Sequence, residues 1–154
     1  MYYIPKAMDL YFMSPPPRDW ELRGRANFRS RKAADVDPLR ARREWLTLAE
    51  GIEALGGTVV VLPPVQGLSG LPYAAEAGHP LPATRPGGRP RFLLPKMKPQ
   101  HRTAERTVWG PFMERLGFEV IDEPGEFIWE GQGDVAWFDR ATPLFHGGRT
   151  DAHA

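Results

Sequence analysis

The sequence predicts a mixed α/β domain built from repeated helix-to-strand units. Three observations carry this. Apolar residues keep helical spacing over two stretches, each stopped by glycine. Each stretch is followed at once by a β-branched run of strand length. The two units are also in register with one another. Leu55-Gly56 and Leu116-Gly117 lie 61 residues apart, and at the same offset Val59 meets Val120, Val60 meets Ile121 and Pro63 meets Pro124. Leu48 and Ile52 fall on Trp109 and Met113 in the same way. Stop signals that recur in step mark a duplicated supersecondary unit.

The elements follow in order. Leu10 to Met13 is a short apolar run closed by Pro15-Pro16-Pro17, which predicts a buried strand. Residues 14–36 lack periodicity and are expected to form a long surface loop. Asp37-Pro38 is a helix start, with aspartate as N-cap and proline at the first helical position. Trp45, Leu48, Ala49, Ile52 and Leu55 share one helical face, and Gly56-Gly57 ends the helix. Thr58 to Leu62 is then a strand stopped by Pro63. Leu71 to Ala75 is a further short apolar run, read as a buried strand, and residues 80–90 as a Pro/Gly/Arg-rich loop. Arg91 to Leu94 is a strand. A second amphipathic helix begins near Thr103, carries Val108, Trp109, Phe112, Met113 and Leu116, and ends at Gly117. Phe118 to Ile121, Phe127 to Trp129, Val135 to Phe138 and Pro143 to His146 complete the predicted strands.

Composition narrows the function. With 154 residues, one domain is expected over 1–154, large enough to bury about 70% of its unfolded surface. The formal net charge of +1 creates no strong field toward nucleic acid or membrane. Basic residues do cluster between Arg23 and Arg43, which fits a solvated loop and an outer helix face, with an anion or partner surface as the alternative. The sequence contains no cysteine, so disulfides, thiolate metal sites and thiol catalysis by these residues are excluded. There is no apolar run of about 18 residues, no signal-peptide core, no Gly-rich phosphate loop after a strand and no base-stacking stripe. A cytoplasmic protein without metal or cofactor is expected.

Three segments can carry chemistry. In Trp129-Glu130-Gly131-Gln132-Gly133-Asp134, two carboxylates flank glycines that permit a sharp turn and a close ligand approach. Two carboxylates near one point call for a cation between them, and a guanidinium matches them with planar paired donors. The same spacing also fits a turn with both carboxylates in water. In Gly67 to Gly78, Glu76 stands among small residues that leave room for a ligand; a surface glutamate at a strand end fits equally. In Gly148-Arg149-Thr150-Asp151, Arg149 can grip a carboxylate or pair locally with Asp151. The histidines His79, His101, His146 and His153 lack metal-ligand spacing.

Taken in order, these segments resemble the pentein superfamily of guanidino-group-modifying enzymes: amidinotransferases, dimethylarginine dimethylaminohydrolases and arginine deiminases. Phe12-Met13-Ser14-Pro15-Pro16 is similar to the first-strand pattern, and Trp45 to Val61, with its Leu-Gly-Gly stop, to the first helical unit. Gly67 to Gly78 is similar to a Gly-Leu-Pro-Asp-x-x-Phe-Thr-Ala-Asn-Ala-Gly segment. Trp129 to Asp134 is similar to Phe-Glu-Gly-x-Gly-Asp, and Gly148 to Asp151 to Gly-x-Arg-Thr-Asp. Two departures stand out: Tyr73-Ala74-Ala75-Glu76 replaces Phe-Thr-Ala-Asn, and Gly70 stands where an aspartate is common.

The resemblance implies an αβ-propeller of five ββαβ modules, of which about three are expected here. It implies that Glu76, Glu130 and Asp134 hold the guanidino group, that Arg149 orients a substrate carboxylate, and that Lys96 lies near another anion-binding position. The family attacks the guanidino carbon with a cysteine and uses a histidine as general acid/base. Neither is matched in this chain, so no catalytic residue is assigned in it. The expected partner is a small guanidino compound, together with a second chain supplying the remaining modules, or self-association. The alternative is a catalytically inactive binding or interaction module.

Overall fold

The structure is a computed structural model that describes residues 9–21, 23, 31–32, 34–122, 127–133, 135–138 and 142–145. It is mixed α/β, with small sheets and two α-helices. The chain divides into two compact units, Met1–Pro72 and Tyr73–Ala154.

In the first unit, β1 (Leu10–Met13) pairs in parallel with β2 (Thr58–Val61), and α1 (Pro38–Ala54) provides the crossover. The helix starts as the residues dictate. Asp37 is extended at φ −84°, its carboxylate accepts from the Leu39 and Arg40 amides at 2.9 and 3.0 Å, and Pro38 occupies the first turn, where no amide partner exists. Asp37→Ala is expected to lower stability by about 1 kcal/mol, read by thermal or denaturant unfolding.

The helix end is a Schellman turn: the Gly57 amide donates to Ile52 and the Gly56 amide to Glu53, with Gly56 at φ +89°. Ala49 and Leu62 are buried. The uniform apolar face expected of α1 is narrower than its spacing implied. Leu48 is 58% and Leu55 90% exposed. β1 likewise presents Leu10 and Tyr11 to solvent instead of being buried.

In the second unit, β3 (His79–Leu81), β4 (Arg91–Leu93) and β5 (Glu119–Ile121) form a sheet in that order, antiparallel then parallel. The β4–β5 crossover is a 3-10 segment, Gln100–Glu105, continued by α2 (Arg106–Arg115). Its end repeats the first unit atom for atom: Gly117 donates to Glu114 and Phe118 to Met113, with Gly117 at φ +93°. The 61-residue echo is therefore a repeated βαβ unit, with the same cap, the same glycine and the same parallel pairing. The core is Phe92, Leu94, Met97, Trp109, Phe112, Met113 and Trp129. Trp109 meets Phe112 edge-on at 5.8 Å, and Phe92 meets Phe118 at 6.1 Å. β6 (Val135–Trp137) and β7 (Pro143–Phe145) make a separate hairpin pair.

Three expectations from Leu71 onward are corrected. Leu71 to Ala75 is not a strand. Leu71 and Pro72 lie in a turn, Ala74–Glu76 forms a 3-10 turn, and the strand comes later at His79–Leu81, so the loop begins after residue 81 rather than at 80. Alanines and a glutamate have little strand preference, whereas Gly78 at φ +134° lets the backbone enter β3. A Cβ there would lie 2.4 Å from the Leu93 carbonyl oxygen. Phe127 to Trp129 reduces to one antiparallel bridge between Lys96 and Trp129.

Candidate functional site

Two short turns carry the site. The 3-10 turn Ala74–Glu76 ends in Glu76, and the 3-10 turn Gly131–Gly133 follows Glu130. They are built against each other. Gly131 adopts φ +67°, and a Cβ on it would lie 2.9 Å from the carbonyl carbon and oxygen of Glu76 and 3.0 Å from the Gly78 amide nitrogen. At Gly133 a Cβ would lie 2.8 Å from Glu76 Cγ and 3.1 Å from its Oε1. Glycine is required at Gly131 by its conformation and by the Glu76 and Gly78 backbone beside it, whereas at Gly133 the neighbour is the Glu76 side chain.

Glu130 is fully buried. Its Oε1 accepts from the Lys98 amide at 3.1 Å, and this amide lies just past the Lys96–Trp129 bridge, whose two hydrogen bonds measure 2.7 and 3.2 Å. The bridge thereby carries Glu130 into the interior. A turn with its glutamate in water, one of the two arrangements the spacing allowed, is ruled out for Glu130. Lys96 holds its ammonium 4.8 Å from the Phe127 ring centre.

Glu76 is paired with a cation that the sequence did not single out. Arg102 donates from Nη1 to Glu76 Oε2. The same guanidinium forks onto Glu105, with Nε to Oε1 at 2.8 Å and Nη2 to Oε2 at 2.7 Å. Glu105 is 1% and Arg102 7% exposed. Burial works against the charged guanidinium, but hydrogen bonding and charge from Glu105, then from Glu76, outweigh it and hold its pKa above the ordinary value. The Tyr73 ring lies 5.6 Å from the Arg102 guanidinium carbon. Burial raises the Tyr73 hydroxyl pKa, and the Arg102 charge opposes that rise.

His79 places Nδ1 3.0 Å from Gln132 Nε2, tying β3 to the Gly131–Gly133 turn. Burial lowers the His79 pKa, which favours a neutral ring whose Nδ1 accepts from the Gln132 amide.

Of the sequence-predicted residues, the structure brings together the Glu76 turn and the Glu130 segment, with Lys96 bridged to Trp129 beside Glu130. Asp134 and Arg149 lie outside the described residues. Arg102 and Glu105 were missed. Their spacing was the available signal: arginine and glutamate three apart eclipse one another on a 3-10 segment.

This mixed α/β fold is shared with solved structures of arginine-modifying enzymes. Among solved structures, the chain is similar to the substrate-bound N-terminal domain of ArgZ, an arginine dihydrolase from the ornithine–ammonia cycle in cyanobacteria. The TM-score is 0.78 at 22% identity, covering 94% of this chain and 51% of that one. It is also similar to unliganded AgrE, at TM-score 0.72 and 21% identity over 94% of this chain and 20% of that one. A dimethylarginine dimethylaminohydrolase, solved as an adduct with 4-chloro-2-hydroxymethylpyridine, matches at TM-score 0.64 and 14% identity, covering 94% and 52%. The chain thus spans about half the length of the ArgZ domain and of the hydrolase. Neither a family model nor a curated protein matches the sequence.

Proposed function

We propose that this chain forms the N-terminal, guanidinium-binding part of an amidinotransferase- or dimethylargininase-like enzyme. One observation carries the proposal: in a fold shared with an arginine dihydrolase, the Glu76 and Glu130 segments pack on one another through two glycines. The chain's own chemistry agrees. Glu76 already accepts a guanidinium, that of Arg102, with an aromatic ring beside it.

In this proposal the chain contributes about three modules of a five-module αβ-propeller, as one partial domain working in the cytoplasm. Two repeated βαβ units whose helices share the same C-terminal cap support a modular architecture. No helix among the described residues is long and apolar enough to cross a membrane. Glu76, Glu130 and Asp134 hold the guanidinium of an arginine-type substrate, Arg149 takes its carboxylate, and Lys96 adds positive charge at the anionic end.

The sequence holds no cysteine, so the nucleophile comes from another segment or chain. Its thiolate bonds to the guanidino carbon, and the C–N bond breaks as the departing nitrogen takes a proton from a general acid. Water or an amine then displaces the sulfur, giving hydrolysis or amidino transfer.

Titration calorimetry with L-arginine tests the binding half of this proposal. Glu76→Gln is expected to weaken binding about tenfold or more by removing one carboxylate charge. Equal affinity in wild type and variant would remove Glu76 from the site. Ammonia or citrulline release by the 154-residue chain unaided would refute the assigned roles.

A second proposal, an inactive module that pairs with another chain, is favoured by its apolar surface. Leu39, Leu46 and Leu48 on α1, Leu55 at its C-cap, and Leu10 and Tyr11 on β1 are all exposed. Light scattering separates the two, since a pairing module self-associates or captures its partner without binding L-arginine.

A further inference from the structure

We propose that Arg102 is a positioning residue for Glu76, anchored in turn by Glu105, so that an internal ion pair fixes how Glu76 meets a cationic ligand. This deepens the assignment of Glu76 as a guanidinium-binding residue and rests on it.

The three charges form a gradient from interior to surface. Side-chain exposure is 2% at Glu105, 8% at Arg102 and 17% at Glu76. The inner pair is set locally. Both residues belong to the 3-10 segment Gln100–Glu105, where positions three apart stack, and both Glu105 oxygens are taken by the Arg102 fork. Nη1 of the guanidinium is thereby aimed outward at Glu76, 26 positions earlier in sequence. Tyr73, on the same turn as Glu76, places its ring beside the guanidinium.

Glu76 is closed in from the other side by Gly133, whose backbone approaches its Cγ and Oε1. A free glutamate side chain loses about 1.5–2 kcal/mol of rotamer freedom when ordered. Holding it beforehand removes that cost from ligand binding.

The test uses the full chain, with amide resonances of Gly131 and Gly133 as one readout and L-arginine titration as the other. Arg102→Met/Glu105→Leu removes the buried pair without leaving a lone buried charge. It is expected to stay folded, to shift both glycine amides and to weaken L-arginine binding about tenfold. Arg102→Lys, which keeps the charge and loses the fork, is expected to recover part of that loss. A folded double variant with unmoved glycine amides and unchanged affinity overturns the proposal. If the double variant does not fold, Arg102→Lys decides: wild-type amides and affinity in it overturn the proposal, and a partial loss supports it. If the wild type does not bind L-arginine, the guanidinium assignment of Glu76 fails, while the amide shifts still decide whether Arg102 and Glu105 position it.

Discussion

Gly131→Ala is expected to destabilise the protein by about 3 kcal/mol or more and to abolish L-arginine binding. Two costs add. At φ +67° an alanine occupies the left-handed region, which costs about 1–2 kcal/mol. Its Cβ would also press on the Glu76 carbonyl at 2.9 Å and on the Gly78 amide at 3.0 Å, and these are backbone atoms that cannot rotate away. Relief requires the two turns to separate, which moves Glu76 away from the Glu130 segment.

Gly56→Ala is the control. It has a comparable φ of +89° but nothing within 4 Å of the added Cβ, so only the conformational cost applies. Denaturant unfolding of the two variants side by side separates strain from collision. A Gly131→Ala protein within about 0.5 kcal/mol of wild type, still binding L-arginine, would show that the two turns need not touch.

Much of the fold was legible because it is local. Asp37-Pro38 and Gly56-Gly57 act through hydrogen bonds to near neighbours, so α1 and its cap follow from the residues themselves. The 61-residue echo was legible for the same reason, since caps leave a sequence signature and the strands after them are β-branched. Errors fell where long-range packing decides. Leu71 to Ala75 is apolar enough for a strand, but pairing with β4 begins only beyond Gly78. Leu48 and Leu55 satisfy helical spacing, yet spacing says which residues share a face and not how wide a partner covers it.

The candidate site divides in the same manner. Glu76, Glu130 and the glycines between Glu130 and Asp134 were visible, because glycine beside a carboxylate marks tight geometry. The full burial of Glu130 was not, since it depends on the Lys96–Trp129 bridge that places the Lys98 amide at its oxygen. Arg102 and Glu105 were hidden by a general ambiguity. An Arg-x-x-Glu pair reads as a solvated helix face unless the segment is buried, and here both residues are interior.

That burial makes Arg102→Ala the second large effect, an expected loss of about 3–5 kcal/mol. Removing the guanidinium leaves Glu105 at 1% exposure with both oxygens stripped of donors, and it takes an ion-pair partner from Glu76. The penalty comes from the carboxylate left behind, not from the worth of the pair itself. Arg102→Ala/Glu105→Ala should therefore be less destabilised than the sum of its single variants, with a coupling of about 0.5–3 kcal/mol by double-mutant cycle.

The exposed Arg40–Glu44 pair on α1 supplies the contrast. Its N–O distance is also 2.8 Å, but the side chains are 71% and 64% exposed, so Arg40→Ala should leave the unfolding midpoint unchanged within error. Salt separates the two pairs as well: added electrolyte screens charges in water and reaches an interior pair far less. Equal effects at Arg40 and Arg102, or strictly additive single variants at Arg102 and Glu105, would mean that the inner pair does not hold the Glu76 turn in place.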